Sequence, residues 1–294
     1  MFTPVKASAI SIKPKKWDKA YNADKVEAFV REAAKDGPDL VVTTEGVLEG
    51  YPIMDVVEDP SRADEMIEIA EPIDGPYILR FRKLARQLRI CLCVGFAERI
   101  GDEAYNAAIF IDNEGEIRGK YHKTMLAEGT DPSWNFNRVG RSLRAFDTPI
   151  GRAGMVICND RWSPLSTRTL VLDGARLILI LSFGSRAREQ NETVLARARE
   201  NGVPIVEANR GMNLIISKGE IVAYKWGNDQ ITTATVEVPA PPSSAAARAL
   251  EAEYLSLQGP EMARRYREMM KHLRGESSLR ELAERGELIA NQPE

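Results

Sequence analysis

The chain is poor in the residues that carry most metal and triad chemistry. Its 294 residues include two histidines, His122 and His272. That is too few for a His-rich zinc site and leaves little room for a Ser-His-Asp triad, so no metal is expected. Three cysteines, Cys91, Cys93 and Cys158, are too few and odd in number for a disulfide scaffold, and they fit a reducing compartment. Basic residues are not in excess: 40 Lys and Arg stand against 43 Asp and Glu, a net charge of −3. Nothing there favours nucleic acid or an anionic membrane as a partner. The longest strongly apolar run, Leu177 to Leu181 with Phe183, falls far short of the roughly 20 residues of a membrane span. Met1 to Lys16 alternates apolar and basic residues without the long apolar stretch of a signal peptide. The expectation is a cytoplasmic protein with no membrane partner.

Hydrophobic residues make up 44% and charged residues 28%, the balance of a soluble, enzyme-sized globular chain. Two kinds of element alternate along it. Val5 to Ile12, Leu40 to Thr44 and Ile90 to Ala97 read as strands. Asn22 is placed to cap a helix with Val26, Phe29, Val30 and Ala33 on one face and Gly37 past its end. Pro76 opens a basic helix carrying Leu79, Leu84 and Leu88. Ala107 to Asp112 and Ile117 to Lys123 form a hairpin pattern around Asn113-Glu114-Gly115. The second half repeats the alternation: a strand at Ala153 to Cys158, a short helix at Thr167 to Asp173, and a strand at Leu177 to Phe183. A long helix from Arg186 to Asn201, a strand at Pro204 to Ala208, a hairpin around Lys218-Gly219 and a last strand at Ile231 to Val238 follow. The pattern is that of a layered α/β protein.

Pro239 to Ser244 breaks this composition and divides the chain into residues 1–240 and an extension, residues 241–294. The extension reads as helices at Ser244 to Leu257, Pro260 to Arg274 and Ser277 to Leu288, with Ser244 and Ser277 as caps. About 50 residues is small for an independent core. The extension is therefore expected to pack on the main domain or on a sister subunit. A partly disordered tail is the alternative its charge allows.

Cys158 ends an apolar strand and is followed by the polar turn Asn159-Asp160-Arg161 and then a helix. A strand–turn–helix junction exposes a nucleophile at a sheet edge, and its backbone N–H groups can stabilise an oxyanion. The same position equally suits a small buried hydrophobe. Cys91 and Cys93 share one face of a strand, with no second Cys or His pair to complete a metal site, and read as core. A thiol needs a base, and His122 is the one histidine before the extension. In an extended segment His122 and Lys123 face opposite ways, so one of them addresses a site there. Glu45 stands at the end of Leu40 to Thr44 and before Gly46, where a carboxylate either faces a pocket or is solvated in a turn.

Several segments, in order, resemble the nitrilase superfamily of carbon–nitrogen hydrolases. Thr44-Glu45-Gly46-Val47-Leu48-Glu49-Gly50-Tyr51-Pro52 is similar to that family's glutamate segment. Tyr105-Asn106-Ala107-Ala108 with Gly115, leading to Tyr121-His122-Lys123-Thr124, resembles its lysine segment, which more often has Arg at the place of His122. Gly151-Arg152-Ala153-Gly154 through Cys158-Asn159-Asp160-Arg161 resembles its nucleophile segment. Arg197-Ala198-Arg199-Glu200-Asn201 with Ala208-Asn209-Arg210 is a further similarity. Together they span roughly residues 5 to 238. Asn159 resembles the N-carbamoyl-D-amino-acid amidohydrolase branch, whose segment has a second arginine at the place of Trp162 and uses its arginines to hold a substrate carboxylate.

The resemblance implies a four-layer α-β-β-α sandwich over residues 1–240, assembled as a homodimer or larger homo-oligomer. It implies hydrolysis of a non-peptide C–N bond in a small amide or N-carbamoyl compound through a cysteine thioester, with no cofactor. Cys158 is then the nucleophile, Glu45 the general base, and Lys123 with the Asn159 N–H the oxyanion donors. Glu128 is the one glutamate in the loop after Lys123 and corresponds to the family's supporting acid, with Asp131 as fallback. Arg161 either binds an anionic substrate group or pairs with a local carboxylate. Two rivals stand beside this reading: a nitrile hydrolase using the same Glu-Lys-Cys residues, and a catalytically weak member acting as a binding or scaffold protein.

Overall fold

Strand and helix assignments follow the apolar pattern closely, and the departures have local causes. The computed structural model describes residues 2–184, 188–240, 251–257 and 260. Its strands are β1 (Phe2–Ser11), β2 (Leu40–Val42), β3 (Cys91–Ile100), β4 (Glu103–Ile111), β5 (Ile117–His122), β6 (Ala153–Ile157), β7 (Leu177–Ser182), β8 (Ile205–Asn209), β9 (Met212–Ser217), β10 (Glu220–Trp226) and β11 (Gln230–Pro239). Its helices are α1 (Lys19–Ala34), α2 (Ile53–Glu58), α3 (Ala63–Ile69), α4 (Pro76–Leu88), α5 (Pro164–Leu172) and α6 (Arg188–Asn201).

The strands form two sheets. A six-stranded sheet has the order β11-β1-β2-β3-β4-β5, and a five-stranded sheet the order β10-β9-β8-β7-β6. Each holds three parallel strands, β1-β2-β3 and β6-β7-β8, flanked by antiparallel ones. Among the parallel strands β7 is an unbroken apolar run, Leu177-Ile178-Leu179-Ile180-Leu181, as expected where both faces are covered. Alternation then sorts residues between layers. Ala7, Ala9, Leu40, Val42, Cys91, Cys93, Ala108 and Phe110 face the second sheet. Val41, Leu92, Val94, Ile109 and Ile111 face α1 and α4. With α5 and α6 on the far side, the chain is a four-layer α-β-β-α sandwich. Cys91 and Cys93 lie between the sheets, and Cys93 Sγ is 3.5 Å from Met155 Sδ.

The cap of α1 is Asp18, whose carboxylate accepts from Tyr21 N at 3.1 Å, and not Asn22. Asn22 lies inside the helix and is buried. Its amide bonds Lys15 N, Lys15 O and Leu48 O, tying the incoming loop to the chain beyond Glu45. In α4 the core face is Ile78, Phe81, Leu84 and Ala85, while Leu79 is exposed; the buried stripe begins one residue earlier than the leucine spacing suggests. The short helices α2 and α3 fill a stretch with no clear periodicity. Strand β6 stops at Ile157, and Cys158 opens a 3-10 turn, Cys158–Trp162, ahead of α5. In the extension, residues 251–257 are helical. The expected caps Ser244 and Ser277 and the helix at Ser277 to Leu288 lie outside the described residues, as does all but residue 260 of the helix at Pro260 to Arg274.

Candidate active site

Both sheets send the C-terminal ends of strands toward one place. Glu45 follows β2 and Lys123 follows β5 in the first sheet; Cys158 follows β6 and Phe183 follows β7 in the second. The chain carrying Glu45 stays laced to β3 beyond the end of β2, through Thr43 N to Cys93 O at 2.9 Å and Val47 N to Gly95 O at 3.1 Å. A Cβ at Gly95 would stand 2.5 Å from Thr44 O and 2.9 Å from Glu45 Cα, so glycine is what lets β3 pass against that backbone.

Glu45 is wholly buried and held by three donors. Its Oε1 accepts from Lys123 Nζ at 2.6 Å and from Asn106 Nδ2 at 2.7 Å, and its Oε2 accepts from Phe183 N at 2.8 Å. Lys123 is equally buried, and its backbone is pinned by Lys123 N to Asn106 O and Gly140 N to Lys123 O, both 2.8 Å. Burial alone would weaken the ammonium's hold on its proton. Glu45, then Cys158 and Glu128, more than reverse this and hold Lys123 charged well above the usual lysine range. His122 faces the other way: its Nε2 lies 2.5 Å from Glu98 Oε2 and its ring stacks on Tyr105 at 4.4 Å.

Cys158 takes φ +48°, a left-handed conformation costly for a residue with a Cβ and favoured where a tight turn presents a side chain. Asp160 braces that turn, accepting from Ile157 N, Met125 N and Tyr121 Oη, each at 2.8 Å. Burial pushes the Cys158 thiol up to about 11; Glu45 adds to the rise, and Lys123 and Arg161 oppose it. At neutral pH the sulfur is therefore a thiol.

Glu128 is buried in the loop after Lys123. Its Oε1 accepts from Asn137 Nδ2 at 2.6 Å, and its Oε2 has no hydrogen-bond partner among the described residues. Burial raises its carboxyl, with Lys123 opposing. Asp131 instead caps an exposed turn at Ser133 and is away from this cluster. Asn159 is half-buried beside Cys158. Arg161 is wholly buried and pairs with Glu207, donates to Ser182 Oγ at 2.7 Å, and reaches Cys158 Sγ with Nη2 at 3.9 Å. A local carboxylate thus occupies it from one side and the thiol from the other.

Four participants carry no assigned part in the sequence reading: Asn106, the Phe183 N–H, Asp160 and Glu207. Asn106 sits inside a motif that resembles the family. Glu207 announces itself as an acid in the apolar run Ile205-Val206-Glu207-Ala208. The Phe183 amide is a backbone group and leaves no mark in the sequence.

A cavity of about 380 Å³ opens next to this cluster, lined by Lys16, Tyr51, Met54, Phe183, Gly184 and Arg210. A Cβ at Gly184, one of the lining residues, would be 3.5 Å from Cys158 Sγ. Among the described residues no group of three His, Cys, Asp or Glu side chains is placed to hold a metal ion. The cluster itself offers an acid, an ammonium and a sulfur, all buried.

Comparison with known proteins agrees. The profile of the carbon-nitrogen hydrolase family matches residues 6–240. N-carbamoylputrescine amidase of Oryza sativa subsp. japonica is 31% identical over 231 residues, 74% of this chain and 75% of that one. A nitrilase of Pyrococcus abyssi is 32% identical over 212 residues, 70% of this chain and 75% of that one. The crystal structure of Saccharomyces cerevisiae Nit3, a member of branch 10 of the nitrilase superfamily, superposes with a TM-score of 0.70 at 20% identity, over 86% of this chain and 94% of that one. The matched profile, the identity to an amidase and the shared sandwich agree with the motifs read above: the chain belongs to the carbon–nitrogen hydrolase family, on the amidase side of the nitrilase superfamily, and acts on C–N bonds other than peptide bonds.

Proposed function

We propose that the protein hydrolyses a small amide or N-carbamoyl compound through a Cys158 thioester, releasing ammonia or an amine. The observation that carries this is the buried Glu45–Lys123 contact of 2.6 Å, with Glu45 held by the Phe183 N–H next to Gly184, where a Cβ would stand 3.5 Å from Cys158 Sγ. Glu45 takes the proton from Cys158 Sγ as the sulfur adds to the carbonyl carbon. The oxyanion that forms is met by the Lys123 ammonium and the Asn159 N–H, donors worth about 3–4 kcal/mol each. When the tetrahedral intermediate collapses, the leaving nitrogen receives the proton held on Glu45, and the thioester remains. Glu45 then deprotonates water, which attacks the thioester and expels the sulfur, and the proton returns to it. Asn106 and the Phe183 N–H keep the carboxylate aimed while its proton comes and goes. Glu128 shares the field around Lys123 and positions the ammonium or the substrate.

The test is ammonia release from a panel of amides, N-carbamoyl amino acids and nitriles, with Cys158→Ala as the blank. Turnover of amides or carbamoyl compounds that vanishes in Cys158→Ala is expected; turnover that survives the substitution would overturn the mechanism. The 32% identity to a nitrilase favours one second reading, nitrile hydrolysis by the same residues, and the nitrile arm separates it. The reading also places the whole reaction in residues 1–240 of a cytoplasmic homo-oligomer, with residues 241–294 as a packing extension. Sedimentation of the purified protein measures the assembly.

A further inference from the structure

We propose that Arg161 is a further catalytic residue of this site: its guanidinium holds the Cys158 sulfur whenever that sulfur carries negative charge, and Glu207 and Ser182 position the guanidinium to do so. This rests on the thioester reading above and adds a group to its machinery.

Arg161 stands three residues after Cys158 in the turn Cys158–Trp162, and its side chain is wholly buried. A buried guanidinium is costly unless its charge and its N–H groups are matched. One side of it is matched by protein. Nη1 pairs with the Glu207 carboxylate and donates to Ser182 Oγ at 2.7 Å, and Ser182 Oγ donates to Glu207 Oε1 at 2.9 Å. Ser182 ends β7, and Glu207 lies in β8, in register with Ile180 of β7. Two adjoining parallel strands thus fix the cation. The other terminal nitrogen, Nη2, has one hydrogen bond among the described residues, to Cys158 Sγ at 3.9 Å. A Cβ at Gly184 would stand 3.5 Å from Sγ and 3.7 Å from Nη2, so both atoms face the same glycine. Arg161 is not among the residues that line the cavity beside Gly184. The anion its free nitrogen meets is therefore the sulfur itself once ionised.

The reaction gives that contact work in both halves. Lys123 is committed to Glu45 at 2.6 Å, so at the sulfur its charge is countered by the carboxylate next to it. The counter-ion of Arg161 sits on Nη1, the nitrogen that does not touch the sulfur. During acylation the S–H bond breaks toward Glu45, and the electron pair left on sulfur forms the bond to the carbonyl carbon. During deacylation water adds to the thioester carbon as Glu45 takes its proton. The C–S bond then breaks with its electron pair on sulfur, and the proton held by Glu45 returns there. In each half negative charge builds on Sγ, and an N–H fixed in advance stabilises it without reorganisation. Burial and Glu45 hold the thiol up near 11, while Arg161 with Lys123 pulls it down.

The test is alkylation of Cys158 by iodoacetamide at pH 8 to 9, read by intact mass, with Cys158→Ala as the blank for Cys91 and Cys93. It needs no turnover. Two full-length variants are compared with the native protein. Arg161→Gln/Glu207→Gln removes both charges together and leaves no buried ion alone; it should alkylate about tenfold more slowly. Glu207→Gln keeps the guanidinium and deletes its counter-charge; it should alkylate faster. Opposite signs are the signature, because damage to the fold would move both variants the same way. If the double variant does not fold, Glu207→Gln decides alone. With a substrate that is turned over, the double variant should lose about tenfold in kcat with little change in KM. Alkylation unchanged or faster in the double variant, alkylation unchanged or slower in Glu207→Gln, or an unchanged kcat would overturn the assignment. If alkylation moves as expected but no amide, carbamoyl compound or nitrile is hydrolysed, the hydrolytic reading fails while the hold of Arg161 on the sulfur stands. If turnover requires Cys158 but alkylation ignores both variants, the reverse holds.

Discussion

Tyr254 Oη lies 2.5 Å from Thr124 Oγ1 and 3.3 Å from the Asp160 carboxylate, so a residue of the C-terminal extension is buried beside the brace of the Cys158 turn. Thr124 follows Lys123 and Asp160 follows Cys158 by two positions, and Thr124 Oγ1 donates to Asp160 at 3.1 Å. One network thus joins the residue after Lys123, the Cys158 turn and the extension. Glu251 adds a second tie, accepting from Leu143 N at 2.6 Å. Tyr254→Phe is expected to cost about 1 kcal/mol of stability and to lower kcat with little change in KM. Tyr254→Ala is expected to cost about 3–5 kcal/mol as the ring leaves a cavity. Denaturant unfolding and steady-state kinetics check both.

Lys123 and His122 are neighbours with opposite fates. Lys123→Ala leaves the Glu45 charge buried without its cation, so it should cost about 3–5 kcal/mol of stability and lower kcat at least about 10²-fold. His122→Ala removes a partner from Glu98, which keeps Lys120 at 2.8 Å, and should fold and retain most of its turnover. An inactive His122→Ala beside an active Lys123→Ala would sink the Glu-Lys-Cys assignment.

Glu45→Gln should separate two properties of the thiol. Hydrolysis should fall about 10²–10⁴-fold with the loss of the general base. Alkylation of Cys158 by iodoacetamide at pH 8 to 9 should rise, because the Glu45 charge is one of the causes holding the thiol up near 11. Slower alkylation than in the native protein would show that the carboxylate activates the sulfur even without a substrate.

Glu49 makes stability depend on pH. It is buried, accepts from Ala97 N at 2.8 Å, and its carboxyl is pushed up to about 7 by burial, helped by Glu45. A folded value above the unfolded one near 4.5 means the native state holds the proton more tightly. That contribution is fully present below pH 4.5 and is lost as pH rises through about 7. Glu49→Gln should therefore raise the melting temperature at pH 8 relative to the native protein and do so far less at pH 5. A gain equal at both pH values would contradict the shift.

Much of the fold is readable along the chain because its elements are written in local patterns. The parallel strands are short apolar runs, Gly115 and Gly219 mark hairpins, and Pro76 opens a helix. The misplacements share one cause. Asn22 has cap chemistry, but its amide is used across space by Lys15 and Leu48, and Asp18 caps in its place. Leu79 is apolar yet lies outward because Ile78 and Phe81 already fill the face of α4.

For the site, Glu45, Lys123 and Cys158 stand out because each segment resembles a known one, and Glu45 and Cys158 also follow apolar runs. Their company is not. That Asn106 and the Phe183 N–H hold Glu45, that Glu207 occupies Arg161, that Tyr254 reaches Asp160 and that Arg210 stands over Phe183 are decided by two sheets packing face to face. The sequence by itself determined where the strands and the turns that end them fall, because those depend on neighbours a few residues away, while Glu45, Lys123 and Cys158 were singled out by resemblance to known segments. The tertiary structure alone decided which charges meet and which stay unpaired, because burial and Coulomb interaction act across distances that the order of residues does not encode.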